Sequence, residues 1–215
     1  MASLDPELLK IAWLTLRVSG LALGISTLIG APLGAALGLS RISSRGLVNA
    51  LLYTGLGLPP VVVGLVVFLL LSRSGPLGGL GWLFTPSAMV LAQVVISLPV
   101  VAGLTLSAVQ SLDPSLRQQV WAMGASRWQT TLTLLLEARR GVVSAVVAGF
   151  GSIISEVGAV MIVGGNIAGQ TRVLTTAVVL EVGKGDFALA LALGLILLGL
   201  TFTANLLLLR LQREP

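Results

Sequence analysis

SLDPSLRQQVWAMGASRWQTTLTLLLEARRG, residues 111–141, is the longest polar interruption in a very apolar chain. It holds Arg117, Arg127, Arg139 and Arg140 between two apolar segments, each long enough to cross a bilayer. Its own spacing predicts two short helices. Asp113 and Pro114 suit the N-cap and first position of one, in which Leu116, Val120 and Met123 recur at i, i+4 and i+7 as an apolar stripe. Gly124 then supplies a stop, because glycine reaches the left-handed conformation without steric cost. Ser126 caps a second helix, on which Trp128, Leu132 and Leu135 share a face. Helix, glycine corner and helix together would project a knob presenting Arg117, Gln118, Gln119, Met123, Gly124, Ala125, Ser126 and Trp128 to a cytosolic partner. The same spacing also fits an amphipathic pair lying on the lipid surface.

Composition says what surrounds that loop. A mean hydropathy of +1.02, with 55% hydrophobic and 10% charged residues, leaves too few polar side chains to cover a soluble domain. The chain reads as an all-α integral membrane protein, a single transmembrane domain over residues 1–215. Its net charge of +5 would point to nucleic acid in a soluble protein. Here the basic residues sit in short loops between apolar runs and act as topology signals, so no nucleic-acid partner is expected. With neither cysteine nor histidine, the chain lacks thiolate nucleophiles, imidazole bases and the commonest zinc ligands. No catalytic residue, metal site or resident cofactor is expected.

Five spans follow in order. MASLDPELLK has neither the basic start nor the cleavage site of a signal peptide, and Asp5 with Pro6 suits a helix N-terminus instead. A helix from there to Leu39 would run about 50 Å against a hydrocarbon core of roughly 30 Å, so the span is placed at 18–39. Trp13 then lies at the interface and Arg17 reaches outward. Gly20, Gly24, Gly30, Gly34 and Gly38 offer a close approach to another helix, either inside the bundle or between copies. After the loop 40–46, with Arg41 and Arg45, a second span covers 47–71. Pro59 and Pro60 should kink or break it, and the bend could line a path or serve packing alone. Residues 72–87 form a Gly- and Pro-rich turn with Trp82 and Phe84 at an interface. The third span, 88–109, contains Gln93, Ser97 and Pro99. The fourth, 141–163, buries Glu156, and the fifth is 187–209.

Five spans place the termini on opposite sides. With the polar loop inside, the cytoplasm holds Arg41, Arg45, Arg117, Arg127, Arg139, Arg140, Arg210 and Arg213, the majority of the basic residues. The positive-inside rule therefore predicts an outer N-terminus and a cytoplasmic C-terminus in the cell membrane.

Gly124-Ala125-Ser126, followed by Trp128 and preceded by SLDPSLRQQVWAM, resembles the cytoplasmic coupling loop of binding-protein-dependent ABC importer permeases. In that family Glu-Ala-Ala precedes the glycine by three residues, and the loop ends in a proline. Here Gln118, Gln119 and Val120 occupy the Glu-Ala-Ala places, and Glu137 replaces the proline. The runs GLPPVVVGLVVFLLLSRSGPLG and ISEVGAVMIVGGNIAGQTRVLTTAVVLEVGKGDF are similar to tungstate permease subunits, which are relatives of molybdate permeases. The resemblance implies a type I, MetI-like permease core that works as a homodimer. It also implies a cytoplasmic ABC ATPase dimer carrying ATP and magnesium, and an extracytoplasmic protein that selects the oxyanion. Tungstate is the expected substrate, with molybdate next. The competing class is a stand-alone secondary oxyanion transporter or channel.

Three features bear on the path. An intramembrane carboxylate costs at least ~2.5 kcal/mol unless paired or neutral, so Glu156 is a functional candidate. An anion path disfavours a second negative charge, and a structural or gating hydrogen-bond role is the preferred reading. GGNIAGQT, residues 164–171, has phosphate-loop spacing but places Gln170 where the lysine belongs, and no strand precedes it, so the match fails on context. It reads as an outer turn with Asn166, Thr171 and Arg172. The stretch that follows, VLTTAVVLEV, is too short for a span; it dips back into the membrane or sits under the binding protein. Arg172 would suit the mouth of an anion path, or simply face solvent or lipid.

Overall fold

The structure is a computed structural model that describes residues 6–39 and 45–210. The expected cap at Asp5, most of the loop 40–46 with Arg41, and Arg213 lie outside the described residues. Ten helices make up the described chain: α1 Pro6–Leu39, α2 Arg45–Leu56, α3 Pro60–Leu71, α4 Pro86–Gln110, α5 Pro114–Ala122, α6 Arg127–Glu137, α7 Arg139–Ile154, α8 Gly158–Gly164, α9 Leu174–Lys184 and α10 Phe187–Arg210. A short 3-10 turn, Gly78–Leu80, lies in the loop between α3 and α4.

Helices α1, α4 and α10 are each long and apolar enough to cross a membrane. The other two expected spans are bent pairs, so the count reaches five if each pair is one span. The tandem prolines end the first pair as expected, with α2 and α3 meeting at 98°. Single prolines do not have that effect: α1 continues through Pro32 and α4 through Pro99. The second pair is a correction. Residues 141–163 are not one helix, because α7 ends at Ile154 and α8 starts at Gly158 after a 59° bend.

Close backbone contact joins α1 to α4. A Cβ at Gly34 would run into the Ala102 carbonyl, and Cβ atoms at Gly30 and Gly38 would lie 3.2 Å from the carbonyls of Leu98 and Leu106. Both sets step by four residues in the same direction, so the two helices run parallel. Small residues allow this approach, which is how helices associate where lipid offers no hydrophobic drive. Gly20 and Gly24 meet nothing within 4 Å, so only three of the five expected glycines belong to the contact. Buried Ser26 and Ser97 bond at 2.7 Å across the same seam.

Helix α7 runs antiparallel to α4, because Gly141 approaches Ala108, Gly149 approaches Val101, and Gln93 bonds to Ile153. Helices α3 and α8 run parallel, with Gly64 on Ala159 and Phe68 edge-on to Phe84, whose amide bonds to the Val163 carbonyl at 2.9 Å. These contacts surround one core cluster that includes Val18, Val67, Met89, Ile153 and Val160. A second cluster gathers Ala35, Val109, Leu134 and Ala138, where α1 and α4 end on the polar loop.

Candidate functional site: the polar loop and the broken spans

The polar loop folds as its spacing predicts. Asp113 Oδ1 accepts the Ser115 amide at 2.8 Å, and Pro114 takes the first helical position. That bond lowers the Asp113 carboxyl below the ordinary carboxylate range. At the corner, the Gly124 amide donates to Trp121 and the Ala125 amide to Val120, with Gly124 at φ +81. This pair of bonds is a Schellman stop, which needs a left-handed residue at that point. Ser126 and Gln129 then close a reciprocal capping box on α6.

Exposure sorts the loop's side chains. Val120, Thr130, Thr131 and Leu134 are buried against the bundle. Met123 is 78% exposed and leaves the expected stripe, because it is the C-cap of α5 and has already turned away. Trp128 is 62% exposed and Trp121 and Leu132 are also exposed, so the knob presents several large apolar side chains, with Arg127 and Gln129 exposed beside Trp128. Gln118, Gln119, Gly124 and Ser126 are exposed around it, and Ala125 is half-buried. Arg117 is half-buried, with its guanidinium 4.4 Å over the Trp121 ring. It lines a cavity of about 440 Å³ between the loop and the ends of α1 and α4.

The structure brings the two broken spans together. A Cβ at Gly158 would sit 2.7 Å from the Val61 side chain, one residue past Pro60 and two past Glu156. Pro59 and Pro60 are the N-cap and first residue of α3. Pro99 packs on Gly55, in the last turn of α2. Glu156 therefore lies inside a break rather than inside a helix. It is 8% exposed, and its Oε1 accepts the Ala159 amide at 2.9 Å, which caps α8. The Thr175 hydroxyl donates to its carbonyl at 3.1 Å. On the α7 side, Gln93 Nε2 donates to the Ile153 carbonyl at 3.2 Å.

Asn166 and Arg172 form a separate pair beyond the other end of α8. Arg172 Nε lies 3.4 Å from Asn166 Oδ1, and Asn166 Nδ2 donates to the Thr176 carbonyl. Thr171 ties the turn, donating to Gly164 and accepting the Ile167 amide at 2.9 Å. Helix α9 follows with its first turn buried and its Leu174 amide bonded to Thr15 Oγ1 at 2.9 Å.

Reading by spacing missed Thr15, Thr175 and the exposed face of α7. Arg140, Ser144 and Gly151 fall within one narrow arc of that helix, and Ser155, its C-cap, follows them. Arg140, Ser144 and Ser155 are exposed and Gly151 is half-exposed. The only sequence signal of Arg140, Ser144 and Ser155 is polarity inside an apolar run.

A helical bundle with long apolar helices, two bent pairs and a projecting knob fits the membrane subunit of a transport system. Residues 30–214 match the family described as binding-protein-dependent transport system inner membrane component, and the chain belongs to that family. It is 45% identical over 203 residues to a probable anion ABC transporter permease protein of Haloferax volcanii, covering 92% of this chain and 88% of the relative. It is 39% identical over 214 residues to the tungstate uptake system permease protein TupB of Peptoclostridium acidaminophilum, covering 100% of this chain and 94% of the relative. The molybdenum transport system permease protein ModB of Azotobacter vinelandii is 30% identical over 194 residues, 86% of each chain. These relatives bear out the resemblance to tungstate and molybdate permeases. Among solved structures, a bacterial alginate ABC transporter in complex with an alginate-bound periplasmic protein shares the fold at a TM-score of 0.69 and 21% identity, over 97% of this chain and 79% of that one.

Proposed function

We propose that this chain is the membrane-spanning subunit of an ATP-driven, binding-protein-dependent oxyanion importer, with tungstate as substrate and molybdate next. The observation that carries the reading is the set of large apolar side chains that the knob presents. Trp121, Met123, Trp128 and Leu132 are exposed at the end of a structure whose caps are fully satisfied. A large exposed apolar patch on a well-formed element marks a protein contact. The contact proposed is the cleft of a cytoplasmic ABC ATPase, where ATP and magnesium are bound, so this chain receives force and performs no hydrolysis itself. The names of the tungstate and anion permease relatives support the substrate class.

In this reading two copies of the chain enclose the path. The polar face of α7 supports such a path, since an exposed polar stripe on a span belongs against water or another subunit rather than lipid. ATP binding draws the two loops together and turns the path outward, and hydrolysis returns it. The paired breaks at Pro59–Pro60 and Glu156 are where the spans rearrange, while Asn166 and Arg172 stand at the outer mouth, beneath the extracytoplasmic binding protein. The N-terminus is outside and the C-terminus cytoplasmic.

Reconstituted vesicles holding the permease, its ATPase and its binding protein should accumulate tungstate in an ATP-dependent way, more than molybdate and far more than sulfate. Uptake by this chain alone, without ATP, would favour a secondary transporter or channel and reject the importer reading.

A further inference from the structure

Gln93 is 4% exposed at the centre of the bundle. Its Nε2 is committed to the Ile153 carbonyl, and its Oε1 has no hydrogen-bond donor among the described residues. Rotating the amide offers no escape, because it would set two acceptors 3.2 Å apart. A buried carbonyl oxygen left without a donor is costly, and native structures supply one.

The space beside it shows what could supply it. Gln93 lines a small cavity of about 10 Å³ together with Thr15, Ser19, Ile153 and Thr175. One water requires a cavity of roughly 10–15 Å³ and two to four polar partners. Thr15 Oγ1 donates to Ile11 and accepts from Leu174, which leaves one lone pair. Thr175 donates to the Glu156 carbonyl and can still accept. A water can therefore donate to Gln93 Oε1 and to one threonine, while the Ser19 hydroxyl can donate to it in return.

We propose that the cavity among Thr15, Ser19, Gln93 and Thr175 is a site for one ordered water, which ties α1, α4 and α9 together at the break between α7 and α8. Its existence rests on the orphaned oxygen and the cavity alone. Its consequence for transport rests on the importer reading: a water-bridged contact exchanges partners at low cost, so this junction can open and reclose as the break moves.

Electron cryomicroscopy of the permease with its ATPase, at a resolution that shows ordered water, should find density within hydrogen-bond distance of Gln93 Oε1. Ser19→Thr adds one methyl to the cavity wall and keeps the hydroxyl. Overpacking and displacement of a water that Gln93 needs both lower the melting temperature, so the density decides the site, and only a raised melting temperature marks an empty cavity filled. The expected result is density in the parent protein and a melting temperature a few degrees lower in Ser19→Thr. No density in the parent, or a higher melting temperature in the variant, overturns the site. ATP-driven import measured alongside keeps the two readings apart. A parent protein that holds the water but imports nothing overturns the importer reading and leaves the site standing.

Discussion

Glu156 Oε1 accepts the Ala159 amide at 2.9 Å, so the one acid buried among the described residues caps the helix that restarts after a broken span. A carboxylate used in this way needs an acceptor oxygen, which glutamine also provides. Glu156→Gln is expected to fold and transport close to the parent level. Glu156→Ala should lose about 1–3 kcal/mol, the cost of stranding a buried donor. Thermal melting in detergent would read both, and equal melting temperatures for the two variants would refute the cap.

Gly34 leaves no room for a side chain against Ala102. Gly34→Val should push α1 from α4 and cost at least about 1–3 kcal/mol, the range for overpacked cores. Gly24→Val adds bulk where nothing lies within 4 Å and should be tolerated. Comparing the yields of folded protein tests the pair, since similar losses from both would mean that α1 does not pack as described.

Gly124 has open space around it but a left-handed backbone at φ +81. Aspartate tolerates that conformation better than most residues, so Gly124→Asp should still insert into the membrane. It places a charge at the corner of the knob. Co-purification of the ATPase and binding-protein-stimulated ATP hydrolysis should both be lost, and unchanged coupling would remove the loop from the interface.

Trp128 is the large aromatic on the exposed face of α6. Truncating an interface aromatic of this kind costs on the order of 2 kcal/mol, or about 30-fold in affinity. Trp128→Ala should weaken ATPase binding by that factor and leave the melting temperature unchanged, as measured by titration in nanodiscs. Undiminished affinity would place the docking surface elsewhere.

Asp113 caps α5, and the Ser115 amide holds its carboxyl below the ordinary range. A depressed folded-state value means that the contribution is complete above the ordinary carboxylate range and is lost as pH falls through the folded value. Helix α5 should therefore hold at neutral pH and loosen only in acid. Asp113→Asn, which can still accept the bond, should flatten this response, as followed by amide exchange at residues 115–117.

The spans and the loop were legible because their signals are local. Long apolar runs with basic flanks mark α1, α4 and α10. Asp113, Gly124 and Ser126 each carry their structural role in their own side chain or lack of one. The break at Glu156 was not legible, since nothing in SIISEVGAV opposes a helix as Pro59 and Pro60 do. It is maintained from outside by Gln93 on α4 and Thr175 on α9, residues distant in sequence. The glycine series was half legible for a related reason: spacing shows which residues share a face, but not where along α1 the neighbouring helix lies. The candidate path residues, taken separately from the chain, fall into one cluster around the breaks and one pair, Asn166 and Arg172, beyond α8.

Where α1 and α4 meet, backbone lies against backbone, with no layer of long side chains between them to yield. Both helices also end on the polar loop, at Ala35 and Val109 beside Leu134 and Ala138. A push on the knob thus reaches a stiff two-helix pier first. Helices α3 and α8, each jointed at one end and packed on the other, stand beside it, so the breaks at Pro59–Pro60 and Glu156 are joints set against a rigid support.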